Sequence, residues 1–246
     1  MAGCETEGSQ IRYARLAGFM YLFIMAVYLF GVWITSRLEV PGNIVETAHR
    51  VVENELLFRS GQALGSLSAL CAVLLAVCLY VAVREIDRNL ALLALAFELV
   101  YSAVGAVSQL IDYAFLKQQL DAYSSNILDV KQLSAYADLH SFLDAAALNI
   151  ACILYGAGSI LFFCLFLKAR AIPRILAAWG LFGSVLVPFT GFASIIFPHP
   201  SKLLQLGWLP IFVAEVSVGL WLLFKGVNLR SRENGIMDSV VAQSTR

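Results

Sequence analysis

The chain has 246 residues, of which 60% are hydrophobic and only 14% charged, and its formal net charge is zero. With a mean hydropathy of +0.78, this composition lies outside the soluble globular range, and the neutral balance gives nothing to suggest nucleic acid as a partner. Residues Met1 to Arg12 carry Glu5 and Glu7 and lack the basic region and short apolar core of a signal peptide. Membrane insertion is therefore expected to rest on the first apolar run itself.

Six runs reach the length of about 20 apolar residues that a bilayer crossing needs. They are Leu16–Ser36, Ser60–Val83, Asn89–Phe115, Ser141–Leu167, Ile175–Phe197 and Gly207–Gly226. The expected fold is an all-α integral membrane bundle of six transmembrane helices. It forms a single domain over 1–230, followed by a disordered tail over 231–246. Basic residues decide the orientation. Eleven of them (Arg12, Arg15, Arg84, Arg88, Lys168, Arg170, Arg174, Lys225, Arg230, Arg232 and Arg246) fall on one set of connections, against six on the other. This bias predicts that the N and C termini are cytoplasmic.

Span 1 carries a Tyr21, Met25, Tyr28 stripe that reads as packing. The outer loop after it opens on a Pro41-Gly42 turn. Asn43 follows as an N-cap with Glu46 three residues on, a capping-box pattern that predicts a short amphipathic helix. Glu55 and Arg59 then stand one turn apart, spaced for an ion pair at the entrance to span 2. Gly61, Gly65, Ser68 and Ala72 form a small-residue stripe along span 2, suited to close helix approach.

Span 3 places Glu98, Tyr101, Gly105, Gln109 and Asp112 at steps of three and four, which is one face of a helix. An amphipathic helix inside a membrane run lines a polar cavity or a helix interface. Tyr113 adjoins Asp112. The outer loop that follows, Lys117 to His140, is polar and is expected to hold a second short helix around Asp129–Leu139.

Span 4 gathers Ser141, Asp144, Asn149, Cys152, Tyr155, Gly156 and Ser159 over one broad arc. His140 and Asp144 lie one turn apart. Such a pair holds an imidazole in one tautomer for general-base work, or simply makes an interfacial hydrogen bond. Span 5 carries Gly180, Ser184, Pro188 and Gly191, again a stripe for close approach. Span 6 contains Glu215, the deepest of four acids set within apolar runs: Glu98, Asp112, Asp144 and Glu215. It suits either a proton carrier and general acid or a structural hydrogen bond to a neighbouring helix. Trp33, Trp208 and Trp221 lie near span ends, as interfacial anchors do.

Metal chemistry has little support. His49, His140 and His199 are the only histidines, and no run has the specificity of a metal-ligand motif. Neither a cofactor motif nor a nucleophile motif is present. The five cysteines lie mostly inside apolar runs and read as packing residues.

Several stretches resemble one bacterial membrane family, domain of unknown function 4386. They are Arg15-Leu16-Ala17-Gly18, Val40-Pro41-Gly42 with Thr47, and Asn54 through Arg59. Further matches are His140-Ser141, Pro173 through Leu176 with Trp179-Gly180, and Glu215 with Trp221 through Gly226. The family commonly has Asp where this chain has Asn43. Glu98, Asp112 and Asp144 lie outside the resemblance, whereas Glu55, Arg59, His140 and Glu215 lie inside it. The resemblance implies a six-span protein of the bacterial inner membrane with no established activity.

Three functions are open at this point. The first is an acid-lined pocket that binds or acts by acid/base chemistry on a small amphiphile, a lipid or isoprenoid. There Glu215, Asp112, Asp144 and His140 are catalytic candidates, and Glu98, Tyr101, Gln109, Tyr113, Asn149 and Tyr155 line the pocket. The second is a proton-coupled transporter, and the third a structural subunit. Membrane lipid is the expected surrounding partner in all three.

Overall fold

The computed structural model describes residues 2–38, 40, 43–124, 130–197 and 207–227. The Pro41-Gly42 turn, His199 and the tail from 231 lie outside the described residues. The described residues form seven helices and no strands: α1 (Ala2–Ser36), α2 (Ile44–Glu53), α3 (Glu55–Val83), α4 (Arg88–Ser124), α5 (Val130–Ala169), α6 (Arg174–Ile196) and α7 (Trp208–Lys225). All except α2 are long and apolar enough to cross a membrane.

Local chemistry sets the helix ends. Asn43 accepts a hydrogen bond from the Glu46 amide at 3.1 Å and caps α2. Glu46 does not return the favour as a capping box would. Its carboxylate takes the Arg50 Nε at 3.0 Å instead, one turn along. At the start of α4 the Asp87 carboxylate accepts from the Leu90 amide at 3.2 Å, satisfying an otherwise free helix N–H. The same carboxylate lies 3.6 Å from Lys168 Nζ on α5. Helix α5 stops where Arg170 turns left-handed at φ 51, and the Ala171 amide reaches back to the Phe166 carbonyl. The second short loop helix is not separate. Nothing between Val130 and His140 breaks a helix, so that segment runs on as the first turns of α5.

The six long helices form a ring in which chain order is also ring order. Helix α1 packs on α3, α3 on α4, α4 on α5, α5 on α6, α6 on α7, and α7 closes on α1. Helices α4 and α7 therefore face one another across the ring, as do α1 and α5. Packed helix axes lie about 8–10 Å apart, so the centre of a regular six-membered ring is one helix diameter from every axis. Large side chains must converge there, and α3 also touches α5, which draws the ring in on one side.

The two ends are built differently. The hairpin end, with the short connections at 84–87 and 170–173, holds most of the buried core. Ala14, Ala17, Ala82, Ala91, Ala94 and Ala177 let backbones approach, while Phe162, Phe163 and Phe166, at most 2% exposed, fill the interior. In lipid such close fit, rather than escape from water, holds helices together. A Cβ on Gly18 of α1 would sit 2.6 Å from the Gly219 carbonyl oxygen of α7, and one on Gly183 of α6 would sit 2.7 Å from the Ile211 amide. Gly61 and Gly65 do not serve one interface: the first faces Thr35 of α1, the second Gln109 of α4. At the loop end the core shrinks to Leu38, Val51 and Leu116, with Phe58 and Leu120 against them. Helix α2 lies there against α3, α4 and α5.

Candidate functional site: an acid and tyrosine layer at the ring centre

Glu98 on α4 stands ten residues from the start of its helix, and Glu215 on α7 ten residues from the end of its own. At 1.5 Å per residue both lie about 15 Å inside the hairpin end. Their helices stand on opposite sides of the ring. The Tyr155 hydroxyl of α5 donates to Glu215 Oε1. The Ser159 hydroxyl, one turn further along α5, makes a long 3.5 Å contact with Glu98 Oε1.

Glu98 reaches this position because Gly158 of α5 makes room. A Cβ there would lie 2.7 Å from Glu98 Oε1 and 3.1 Å from its Cγ. Aromatic rings complete the layer. Tyr101 lies 5.3 Å from Tyr155, and Trp208 stacks on Tyr155 at 6.0 Å. Tyr21 of α1, only 8% exposed, is within electrostatic range of both carboxylates. Four helices thus contribute to one layer: α1, α4, α5 and α7. Glu98, Tyr101, Tyr155 and Glu215 are each half-buried rather than sealed in the core. No Lys, Arg or His occurs in the spans between Arg15 and Arg37, Arg59 and Arg84, Arg88 and Lys117, His140 and Lys168, Arg174 and Phe197, or Trp208 and Phe224. The chain brings two carboxylates to the centre and no cation.

The other candidates lie elsewhere. Asp112 is fourteen residues beyond Glu98 on α4, about 21 Å further towards the loop end. Its carboxylate meets His140 Nε2 of α5 at 2.8 Å, and Phe115 stacks on the imidazole at 4.3 Å and 18°. The histidine's partner is therefore on the neighbouring helix, not Asp144 one turn away. Asp144 is exposed and interacts with Asp112 and His140 only at electrostatic range. Asp112, Asp144 and His140 consequently do not share a site with Glu215.

The predicted stripe on α4 faces two neighbours. Gln109 accepts from the Ser66 hydroxyl of α3 at 2.7 Å, while Glu98, Tyr101 and Asp112 turn to α5. Tyr113 is 40% exposed. Asn149 is half-buried, and its backbone carbonyl would lie 2.8 Å from a Cβ on Gly191. Arg59 Nε donates to Glu55 Oε1 at 2.6 Å on the exposed start of α3. Among the described residues no group of three or more His, Cys, Asp or Glu is placed to hold a metal ion. Cys71, Cys78 and Cys152 are buried and unbridged.

Two residues of the layer were read differently in the sequence. Trp208 looked like an interfacial anchor because it sits at a span end, and Tyr21 looked like packing. The signal for Trp208 was its spacing: it precedes Glu215 by seven residues, two helical turns on one face.

A ring of six helices, each long and apolar enough to cross a membrane, defines a multi-pass helical membrane protein. The chain belongs to the family described as a domain of unknown function (DUF4386), which matches residues 16–226. No curated protein and no solved structure matches the chain.

Proposed function

We propose that the protein binds a small amphiphile, a lipid or isoprenoid-like molecule, in the central layer of the ring, and that Glu215 is its main polar contact. The observation that carries this reading is the convergence of half-buried Glu98, Glu215 and Tyr155 with buried Tyr21, from four helices, onto one layer. Carboxylates near the bilayer centre cost roughly 2.5–3.5 kcal/mol each even on translocon scales. Acids that serve only to join helices could be replaced by amides, and two acids facing each other add repulsion to that cost.

In the catalytic form of the reading, Glu215 gives a proton and Glu98 receives one, with Tyr155 holding the Glu215 carboxyl in place. Asp112 and His140, about 21 Å away along α4, then act as a second polar contact at the loop end rather than as the complementary base. Both termini face the cytoplasm of a bacterial inner membrane, following the bias of basic residues. The loop end, and α2 upon it, face outward. A proton-coupled transporter is the second reading, favoured by two glutamates on helices that face one another across the ring.

The test is extraction of bound small molecules from protein purified in native lipid nanodiscs, read by mass spectrometry for wild type and Glu215→Gln. A discrete amphiphile enriched with wild type and reduced at least about tenfold in the variant, a difference of about 1.4 kcal/mol, supports the reading. An extract matching bulk membrane lipid in both would sink it.

A further inference from the structure

We infer that the two hairpin tips, at 84–88 and 168–174, together form a docking surface for an anionic phospholipid. Its phosphate sits among Arg84, Arg88, Arg170 and Arg174, and its acyl chains run down the apolar flank of the ring. The inference is independent of the central layer and of which side of the membrane the tips face. Three observations support it.

The first is charge. The tips carry five cations, the four arginines and Lys168, against two acids, Glu85 and Asp87. Asp87 is engaged within the chain, accepting from the Leu90 amide at 3.2 Å and lying 3.6 Å from Lys168 Nζ. That contact sets the two tips side by side, so their charges act on one surface. All four arginines are exposed. The loop end is different, because Arg50 and Arg59 there hold Glu46 and Glu55 at 3.0 and 2.6 Å. The second observation is what lies beside the charge. Arg174 is followed by Ile175, 84% exposed, and Arg88 by Leu90, 37% exposed. A phospholipid offers both halves of that surface, an anion over hydrocarbon, whereas a free phosphate offers only one. The third is the backbone. Helix α5 ends in a turn closed by the Ala171 amide on the Phe166 carbonyl, and Arg170 holds its left-handed position at φ 51. Glycine fills such a position without strain, and a residue with a Cβ does not. The chain keeps there a side chain whose planar fork matches phosphate oxygens two at a time.

The experiment releases the full chain from nanodiscs of equimolar phosphatidylglycerol and phosphatidylcholine and identifies the retained lipids by native mass spectrometry. Wild type should retain phosphatidylglycerol over phosphatidylcholine by roughly tenfold or more. Arg170→Gly should lower that preference about fivefold, the effect of one basic residue at an anionic lipid surface. The same variant should melt at a higher temperature than wild type in pure phosphatidylcholine discs, because the left-handed strain is gone. A change that stabilises the fold cannot lose lipid by unfolding. Arg170→Lys, which keeps both charge and strain, should stay within about twofold of wild type in preference and show no gain in melting temperature. Arg84→Gln and Arg174→Gln should each cost about fivefold, whereas Arg37→Gln, the same change of charge at the loop end, should cost less than about twofold. Equal retention of the two lipids by wild type would overturn the inference. So would an undiminished preference in Arg170→Gly, or a loss in Arg37→Gln as large as in the tip variants, which would mean attraction to overall charge and no docking surface.

Discussion

The two polar clusters differ in how much of the molecule each needs. The loop-end cluster is local: Asp112, His140 and Phe115 come from α4 and α5, which pack side by side. The central layer draws on α1, α4, α5 and α7, and two pairs of these stand across the ring from one another. A local cluster survives loosening of distant helices. A ring-spanning one exists only while the ring is closed, so its geometry depends on seams that the local cluster does not touch.

The strongest way to press that difference is to open the α1–α7 seam, which Tyr21 lines beside Gly219 and which the loop-end cluster does not touch. Gly18→Val drives a side chain into the α7 backbone, where a Cβ alone would lie 2.6 Å from the Gly219 carbonyl. It should lower unfolding stability in detergent by about 3 kcal/mol, at the top of the overpacking range. It should also disperse the central layer while leaving the His140–Asp112 contact intact. Tryptophan fluorescence of Trp208 and histidine NMR read the two clusters separately. Equal disturbance of both would break the distinction.

Gly158→Val acts nearer. It blocks the slot that Glu98 occupies, and should cost about 1–3 kcal/mol of stability while abolishing amphiphile binding, checked by nanodisc titration. Retained binding would show that Glu98 has another route into the layer. Smaller still is Tyr155→Phe, which removes one hydrogen bond to Glu215 inside the membrane. About 0.6 kcal/mol, and at most about 1.7, is expected from unfolding curves.

For the loop-end pair, a double-mutant cycle on Asp112→Asn and His140→Gln should return a coupling of about 0.5 kcal/mol or more with no change in ligand affinity at the centre. Loss of central binding in that cycle would mean the clusters communicate. The smallest effect belongs to Glu55→Gln. Both partners of that ion pair are well exposed, at 51% for Arg59 and 40% for Glu55, so thermal unfolding should register no more than about 0.5 kcal/mol.

The sequence disclosed the helices more readily than their arrangement, and for a physical reason. Apolar runs of bilayer length identify spans without any tertiary knowledge, and Asn43 announces α2 through a cap that needs only local geometry. Which face meets which neighbour is another matter. Lipid-facing and protein-facing positions are both apolar, so Leu99 and Ala94 differ in burial but hardly in hydropathy. Only polar residues break that degeneracy, and the Glu98 to Asp112 stripe did mark an inward face of α4. It could not tell that Gln109 bonds to α3 while Asp112 bonds to α5. His140 was matched to Asp144 because sequence spacing favours one helix over two. Tyr21 and Trp208 were hidden because an aromatic residue in a membrane helix is ordinarily packing or an anchor. The slot at Gly158 left no trace, since a glycine in a span is silent until the side chain opposite it is known.

Because neighbours in the ring are neighbours in the chain, the molecule has a biosynthetic seam between α1 and α7. A chain emerging from its N-terminal end lays down an arc of five helices that already carries Tyr21, Glu98, Tyr101 and Tyr155. Glu215 and Trp208 arrive together on the last helix. That helix both completes the polar layer and joins α6 to α1 to close the ring. The nascent protein therefore passes through a stage as an open clasp, and the fit of Gly18 against Gly219 is the fastening that ends it.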